Sequence, residues 1–295
     1  MTPKVIDPPH PWHKPCLVNP ISQFGAMLRG WRDARRMSQL DLAMAAEVSS
    51  RHLSCLETGK AQPGREVVVR LAETLEVPLR DRNALLMAAG FAPIYPETAL
   101  ATAPLAEVRR AIDFLLEQQE PFPAVLLDRH WNMLQTNRAF DRVVERVLGG
   151  RPSRHANMIR QIFDPDDVRA TIVNWEEAAR AVIGNLQHTL ALSPNDAAGH
   201  ALIAEALSYP GVPTRWRDLD VARAPAPLMN TIMRDGDAQL CFFSTITTFA
   251  MARDVTLEEL RIECCFPADD RTRAVCRAMA EADGEGKEKG GHPKG

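Results

Sequence analysis

The chain has 295 residues, 45 % of them hydrophobic and 25 % charged, with a net charge of −3. This is the make-up of a soluble globular protein long enough for about two domains. No apolar run approaches the ~18 residues of a membrane span, and MTPKVIDPPHPWHKPC lacks the apolar core of an export signal. Six cysteines at 16, 55, 241, 264, 265 and 276 form no CxxC pair, a usage that fits reduced, mostly buried thiols in the cytoplasm. The charge is uneven. Residues 24–65 carry seven bases (Arg29, Arg32, Arg35, Arg36, Arg51, Lys60, Arg65) against four acids (Asp33, Asp41, Glu47, Glu57), so a local +3 sits against −6 elsewhere.

Residues 1–23 are rich in Pro and His without periodicity and read as a flexible arm. His10, His13 and Cys16 there stand at x2 spacings that a metal could use. Phe24 to Arg36 is amphipathic, with Phe24, Leu28 and Trp31 on one side. Residues 39–46 and 50–58 then place Leu42, Ala43, Val48, Leu53 and Leu56 at helical spacing on two short segments. Ser38 and Ser49 are N-caps for them, with Asp41 completing a variant capping box. Gly59 can end the second helix in the left-handed region. Glu47 occupies the turn where glycine would accept positive φ without strain. Two more helices fit 65–77 and 79–90, so residues 24–92 are predicted to form a five-helix, all-α domain. Two short helices joined this tightly cross steeply, and the second can enter a DNA major groove.

Residues 93–105 carry Pro93, Pro96 and Pro104 without periodicity and read as a linker. Beyond them, residues 106–282 are predicted to form an α+β domain. An amphipathic helix spans 106–119, and 122–128 with 131–137 form a hairpin turning at Arg129–His130. Asp164 as cap and Pro165 at the first position predict a helix start there, which explains the acids at 164–167 without calcium. A helix follows near 195–207. The run 238–251 is the strongest strand signal, 257–267 supplies another strand, and PADDRTRAVCRAMAEA closes the domain as a helix. Residues 283–295 are low in complexity and predicted to be disordered.

The stretch SQLDLAMAAEVSSRHLSCLETGKAQPGR resembles the helix-turn-helix of phage repressors and Cro, the XRE type, and VVRLAETLEVPL resembles that domain's fourth helix. The resemblance implies a lambda-repressor-like fold reading double-stranded operator DNA. Gln39 would touch the phosphate backbone. Ser49, Ser50, Arg51, Ser54 and Cys55 would form the outward, base-reading side of the recognition helix. Thr58 and Lys60 would meet phosphates, and Arg32 with Glu57 would form an internal ion pair. An arginine such as Arg51 can fork onto guanine O6 and N7.

LMAAGFAPIY, FPAVLLDRHWNMLQTN, FDPDDVR, NWEEAAR, ALSYPGVP, FFSTITTF and TLEELRIECCFPAD, in this order, resemble the MmyB-like transcription regulators. That likeness implies a PAS-like domain, an antiparallel sheet covered by helices around an apolar cavity, in which a relative holds a long-chain fatty acid. Cys264–Cys265 replaces aromatic or small residues usual at that place. A fatty acid needs a dry tunnel and a polar group near its mouth. Phe242, Phe243 and Phe249, with Leu126, Trp131 and Leu134, are candidate walls; Arg129, His130 and Asn137 are candidates for the head group. No GxSxG, Walker loop, HExxH or GxGxxG occurs, so no catalytic residue and no metal site is assigned. The expected protein is a cytoplasmic, homodimeric regulator sensing a small apolar effector, without cofactor. Its signal would run through helix 106–119 and the linker. A C-terminal domain that serves only dimerisation or protein contact is the alternative.

Overall fold

The computed structural model describes residues 20–191, 193, 196–218, 229–250 and 252–289. The chain divides at Pro93–Ile94 into two compact units, residues 78–80 apart. The first unit contains α1 (Pro20–Ala34), α2 (Gln39–Ala45), α3 (Ser50–Glu57), α4 (Arg65–Thr74) and α5 (Leu79–Ala88). Helix α1 begins four residues ahead of Phe24, inside the stretch assigned to the arm. Residues 1–19, with His10, His13 and Cys16, lie outside the described residues. Phe24, Leu28 and Trp31 are buried with Leu42, Leu53, Leu56, Val68 and Leu71, as the helical spacing of these side chains requires.

The punctuation signals act as their chemistry suggests. The Ser38 hydroxyl accepts from the Asp41 amide at 3.1 Å while the Asp41 carboxylate accepts from the Ser38 amide at 3.1 Å. An aspartate thus does the work of the usual glutamate in the capping box. Ser49 Oγ accepts from the His52 amide at 3.1 Å. Gly59 takes φ +70°, and Glu47, the non-glycine residue in the α2–α3 turn, takes φ +53°. At Gly25 α1 meets α3 with no room for a side chain: a Cβ there would lie 2.6 Å from the carbonyl oxygens of Leu56 and Glu57.

The second unit is α+β. In chain order it holds α6 (Ala106–Gln118), β1 (Ala124–Leu127), β2 (Met133–Thr136), α7 (Arg138–Val147), α8 (Met158–Phe163), α9 (Trp175–Ala191) and α10 (Ala197–Ala206). There follow β3 (Met229–Asp235), β4 (Ala238–Thr248), α11 (Val255–Glu259), β5 (Arg261–Pro267) and α12 (Asp270–Lys289). The five strands make one antiparallel sheet in the order β2-β1-β5-β4-β3. Alternation along the strands separates two faces. Ala124, Leu126 and Ile262 pack beneath Ile112 and Leu116 of α6. On the opposite face Val125 and Leu127 join Met158, Ile159, Val182 and Ile183 of α8 and α9, while Met233, Leu240 and Phe242 meet Val143 and Val144 of α7.

Several expectations are corrected. Asp164 does not start a helix: it caps the C-terminal end of α8, its carboxylate accepting from the Asp166 amide at 2.9 Å and holding His155 at 2.8 Å. Helix α9 starts only at Trp175, after a 3₁₀ turn over Val168–Thr171. Helices α7 and α8 and strand β3 were not predicted. The first part of 257–267 belongs to α11, and β5 begins at Arg261. Part of the 93–105 linker is fastened to the second unit. Pro96 accepts from the Val255 amide at 2.8 Å and Thr98 donates to the Asp254 carboxylate at 3.2 Å. Residues 283–289, assigned to the disordered tail, continue α12, and 290–295 lie outside the described residues. No helix among the described residues is long and apolar enough to cross a membrane.

Candidate functional site

Helix α3 turns Leu53, Leu56 and Glu57 inward and leaves Ser50 and Arg51 exposed, with Ser54 and Cys55 half-buried beside them. Arg51 has no ion-pair partner among the described residues, whereas Arg129, Arg142, Arg146 and Arg160 of the second unit are each paired with a carboxylate. Its guanidinium is free to meet a base or a phosphate. Ser49 is exposed, but its hydroxyl is committed to the N-cap. Thr58 turns its hydroxyl onto the Ser54 carbonyl at 2.7 Å, and Lys60 is exposed just beyond the helix.

Behind this surface lies the predicted Arg32–Glu57 pair. Arg32 Nε donates to Glu57 Oε1 at 2.6 Å and Nη2 to Oε2 at 3.1 Å, a bidentate fork from α1 to α3. Gln39, expected at the phosphate backbone, donates one N–H to Glu57 Oε2 at 2.7 Å. Burial would push the Glu57 carboxyl up, but the hydrogen bonds from Arg32 and Gln39 and the nearby guanidinium charges hold it below its ordinary value. Three helices are therefore tied to one buried carboxylate, which fixes how α3 is presented.

In the second unit a cavity of about 90 Å³ lies between the sheet and helices α7, α8 and α9. Phe140, Val143, Met158, Val182, Met233 and Phe242 supply much of its wall. The polar residues at its border are Gln161, Thr231, Ser244, Glu263 and, as a thiol, Cys265. Glu263 is 3 % exposed, and its Oε2 has no hydrogen-bond partner among the described residues. Burial raises its pKa, opposed only by a hydrogen bond from Ser244. Burial likewise pushes the Cys265 thiol up, so it stays protonated.

Of the nine residues named from the sequence for ligand contact, Phe242 lines this cavity and the others stand elsewhere. Strand alternation sends Phe243 to the opposite face, stacked on Phe266 at 5.3 Å between ring centres. Leu126 and Phe249 pack in the cluster beneath α6. Trp131 is buried in the cluster of α8 and α9, and Leu134 is 48 % exposed. The proposed head-group residues are structural. Asn137 caps α7 through the Phe140 amide at 3.0 Å, accepts from Ala124 at 2.9 Å and donates to the Phe122 carbonyl at 2.8 Å. Arg129 pairs with Asp196 at 2.5 Å and Glu259 at 2.9 Å, and His130 Nε2 lies 3.0 Å from Asp196. This cluster binds the β1–β2 turn to the N-terminus of α10 and the C-terminal end of α11. Asp128 shapes the same turn, its Oδ1 accepting from the His130 and Asn132 amides at 2.8 and 2.9 Å.

Residues 108–279 match the model of the MmyB-like transcription regulator ligand binding domain. The chain belongs to that family. Residues 23–85 of this MmyB-like regulator match a helix-turn-helix domain, so a DNA-binding unit is joined to a ligand-binding one. No curated protein matches the regulator. A solved structure of an RNA-binding light-oxygen-voltage receptor aligns with 90 % of this chain at 12 % identity and a TM-score of 0.22. The regulator covers 63 % of that receptor's chain, less than two thirds of its length.

The wall residues that sequence reasoning missed come from α7, α8, α9, β3 and the inner side of β5, with Ser244 of β4. A signal for them was available. Ala139, Phe140, Val143, Val144 and Val147 follow helical spacing directly after Asn137, a good N-cap. In RIECC, an acid midway along an otherwise strand-like run marks a residue either at an edge or facing a buried polar site. Among the described residues no cluster of His, Cys, Asp and Glu is arranged to hold a metal.

Proposed function

We propose that this regulator works in the cytoplasm as a homodimer, each recognition helix α3 reading half of a symmetric operator. A small apolar effector in the cavity between the sheet and α7–α9 changes operator affinity. The observation that carries this reading is that cavity, walled by apolar side chains inside a domain of a ligand-binding family. One α3 covers only a half-site, which is why two copies are needed. An effector alters affinity only by binding one arrangement of the dimer more tightly than another.

An acyl compound, a fatty acid or a similar molecule, is the effector class we propose. Pockets for drug-sized ligands measure roughly 300–1,000 Å³, against about 90 Å³ here. A short acyl segment fits, and a long chain requires the wall side chains to move apart. The small volume also favours a second reading, in which the domain serves only dimerisation or protein contact. Native mass spectrometry of the full chain purified from cells, followed by organic extraction, separates the two. A retained acyl molecule supports the effector reading. An empty chain whose melting temperature and operator affinity are unmoved by acyl compounds supports the contact module.

A further inference from the structure

Among the described residues, Glu263 is the one carboxyl group on the border of a mainly apolar cavity. Register sets it beside Val125 of β1 and Ile246 of β4, on the sheet face that α7, α8 and α9 cover. It is almost wholly buried, and one of its two oxygens is unpartnered. No cation contributes to its environment among the described residues; Ser244 is its one hydrogen-bonding neighbour, with the neutral Cys265 thiol alongside. Gln161, across the cavity, already donates to the His155 carbonyl at 2.8 Å. A buried acid without a counter-ion keeps its proton, because ionising would cost more than any contact here returns. A protonated carboxyl offers one O–H donor and a carbonyl acceptor. Leaving such a group unmatched is costly, so a ligand that matches it gains over one that does not.

We propose that Glu263 is the polar anchor of the effector site and selects small apolar molecules bearing an uncharged hydrogen-bonding group, above all a neutral carbonyl, against carboxylates. This rests on the cavity being the effector site. A carboxylate would add a charge where none of the described residues supplies a cation, whereas a ketone, ester or amide oxygen accepts a hydrogen bond from the Glu263 hydroxyl without one. Within the proposed acyl class, the site therefore favours a neutral derivative over the ionised acid.

The test uses the full chain with 2-butanone, butyrate and cyclopentane as probes, matched to the small volume, with affinities read by ligand-observed NMR and by melting shift at neutral pH. The expected order on the unaltered protein is 2-butanone over butyrate by roughly tenfold or more. Glu263→Gln keeps a neutral donor and acceptor and should hold 2-butanone within about threefold, whereas Glu263→Leu should lose about tenfold for it and gain for cyclopentane. Butyrate binding as tightly as 2-butanone overturns the proposal. So does an unchanged probe order in both variants. Cyclopentane binding without discrimination among the three leaves the cavity standing as a ligand site and removes Glu263 as its anchor. Failure of all three probes on the unaltered protein overturns both. Should Glu263→Leu not fold, the order on the unaltered protein and on Glu263→Gln still decides.

Discussion

Arg51 is exposed on α3 with no ion-pair partner among the described residues, and it is the residue on which the DNA-reading assignment depends most. A bidentate contact to guanine is worth about 1–3 kcal/mol of discrimination. Arg51→Ala should therefore weaken specific operator binding by roughly 10- to 100-fold while leaving melting temperature and helical circular dichroism unchanged. Unchanged sequence preference in a binding-site selection would show that another face reads the bases. Glu47 tests a different property, backbone strain. Its φ of +53° is one that a non-glycine residue holds at a cost, so Glu47→Gly should stabilise the helix-turn-helix unit by about 0.5–1 kcal/mol despite the extra chain entropy of glycine. A lower melting temperature in that variant would mean the Glu47 side chain contributes more than its backbone costs.

At the scale of elements, α1 and α3 approach each other more closely than their hydrophobic patterns imply. Gly25 lets the α1 backbone rest against the last carbonyls of α3, where a Cβ would sit 2.6 Å away. Gly25→Ala should destabilise the unit by about 1–3 kcal/mol, the usual cost of overpacking, although alanine is the better helix former. Chemical denaturation measures this, and a neutral or stabilising result would show that α1 can slide without loss. The same variant should also weaken DNA binding, since the fork from Arg32 to Glu57 orients α3 from α1. In the second unit, α6 lies on the sheet face opposite the cavity. A signal from the cavity to α6 must therefore cross the sheet through β1 and β5, whose alternate residues touch one side and then the other.

For the whole molecule, net charge and local charge pull in different directions. A chain of −3 overall carries a local excess of +3 over residues 24–65 of the helix-turn-helix unit, so phosphate neutralisation should dominate affinity there. Operator affinity should fall linearly in log–log form with salt, with a slope of about −0.9 per phosphate contacted. Fluorescence anisotropy over a salt series measures it. A flat response would show that charge is not what holds the DNA.

Much of this protein is legible in its residues alone. Caps at Ser38 and Ser49, apolar positions at helical spacing and a break at the proline-rich 93–105 stretch are local statements, and hydrogen bonds and burial close to each residue in sequence enforce them. The order of motifs likewise marked both units and their family. The ligand side was another matter. Phe242 and Phe243 are neighbours with the same chemistry, yet the register of β4 against β5 turns one into the cavity and the other onto Phe266. Asn137 and Arg129 read as head-group ligands until folding surrounds them with the amides and carboxylates they hold in place. Glu263 looked like an ordinary strand residue and became a buried acid only because three helices cover its face. Local sequence determines which elements form, because those energies are short-ranged. Which side chain borders a cavity depends on strand register and on layers brought together from distant parts of the chain, and that was decided by the tertiary structure.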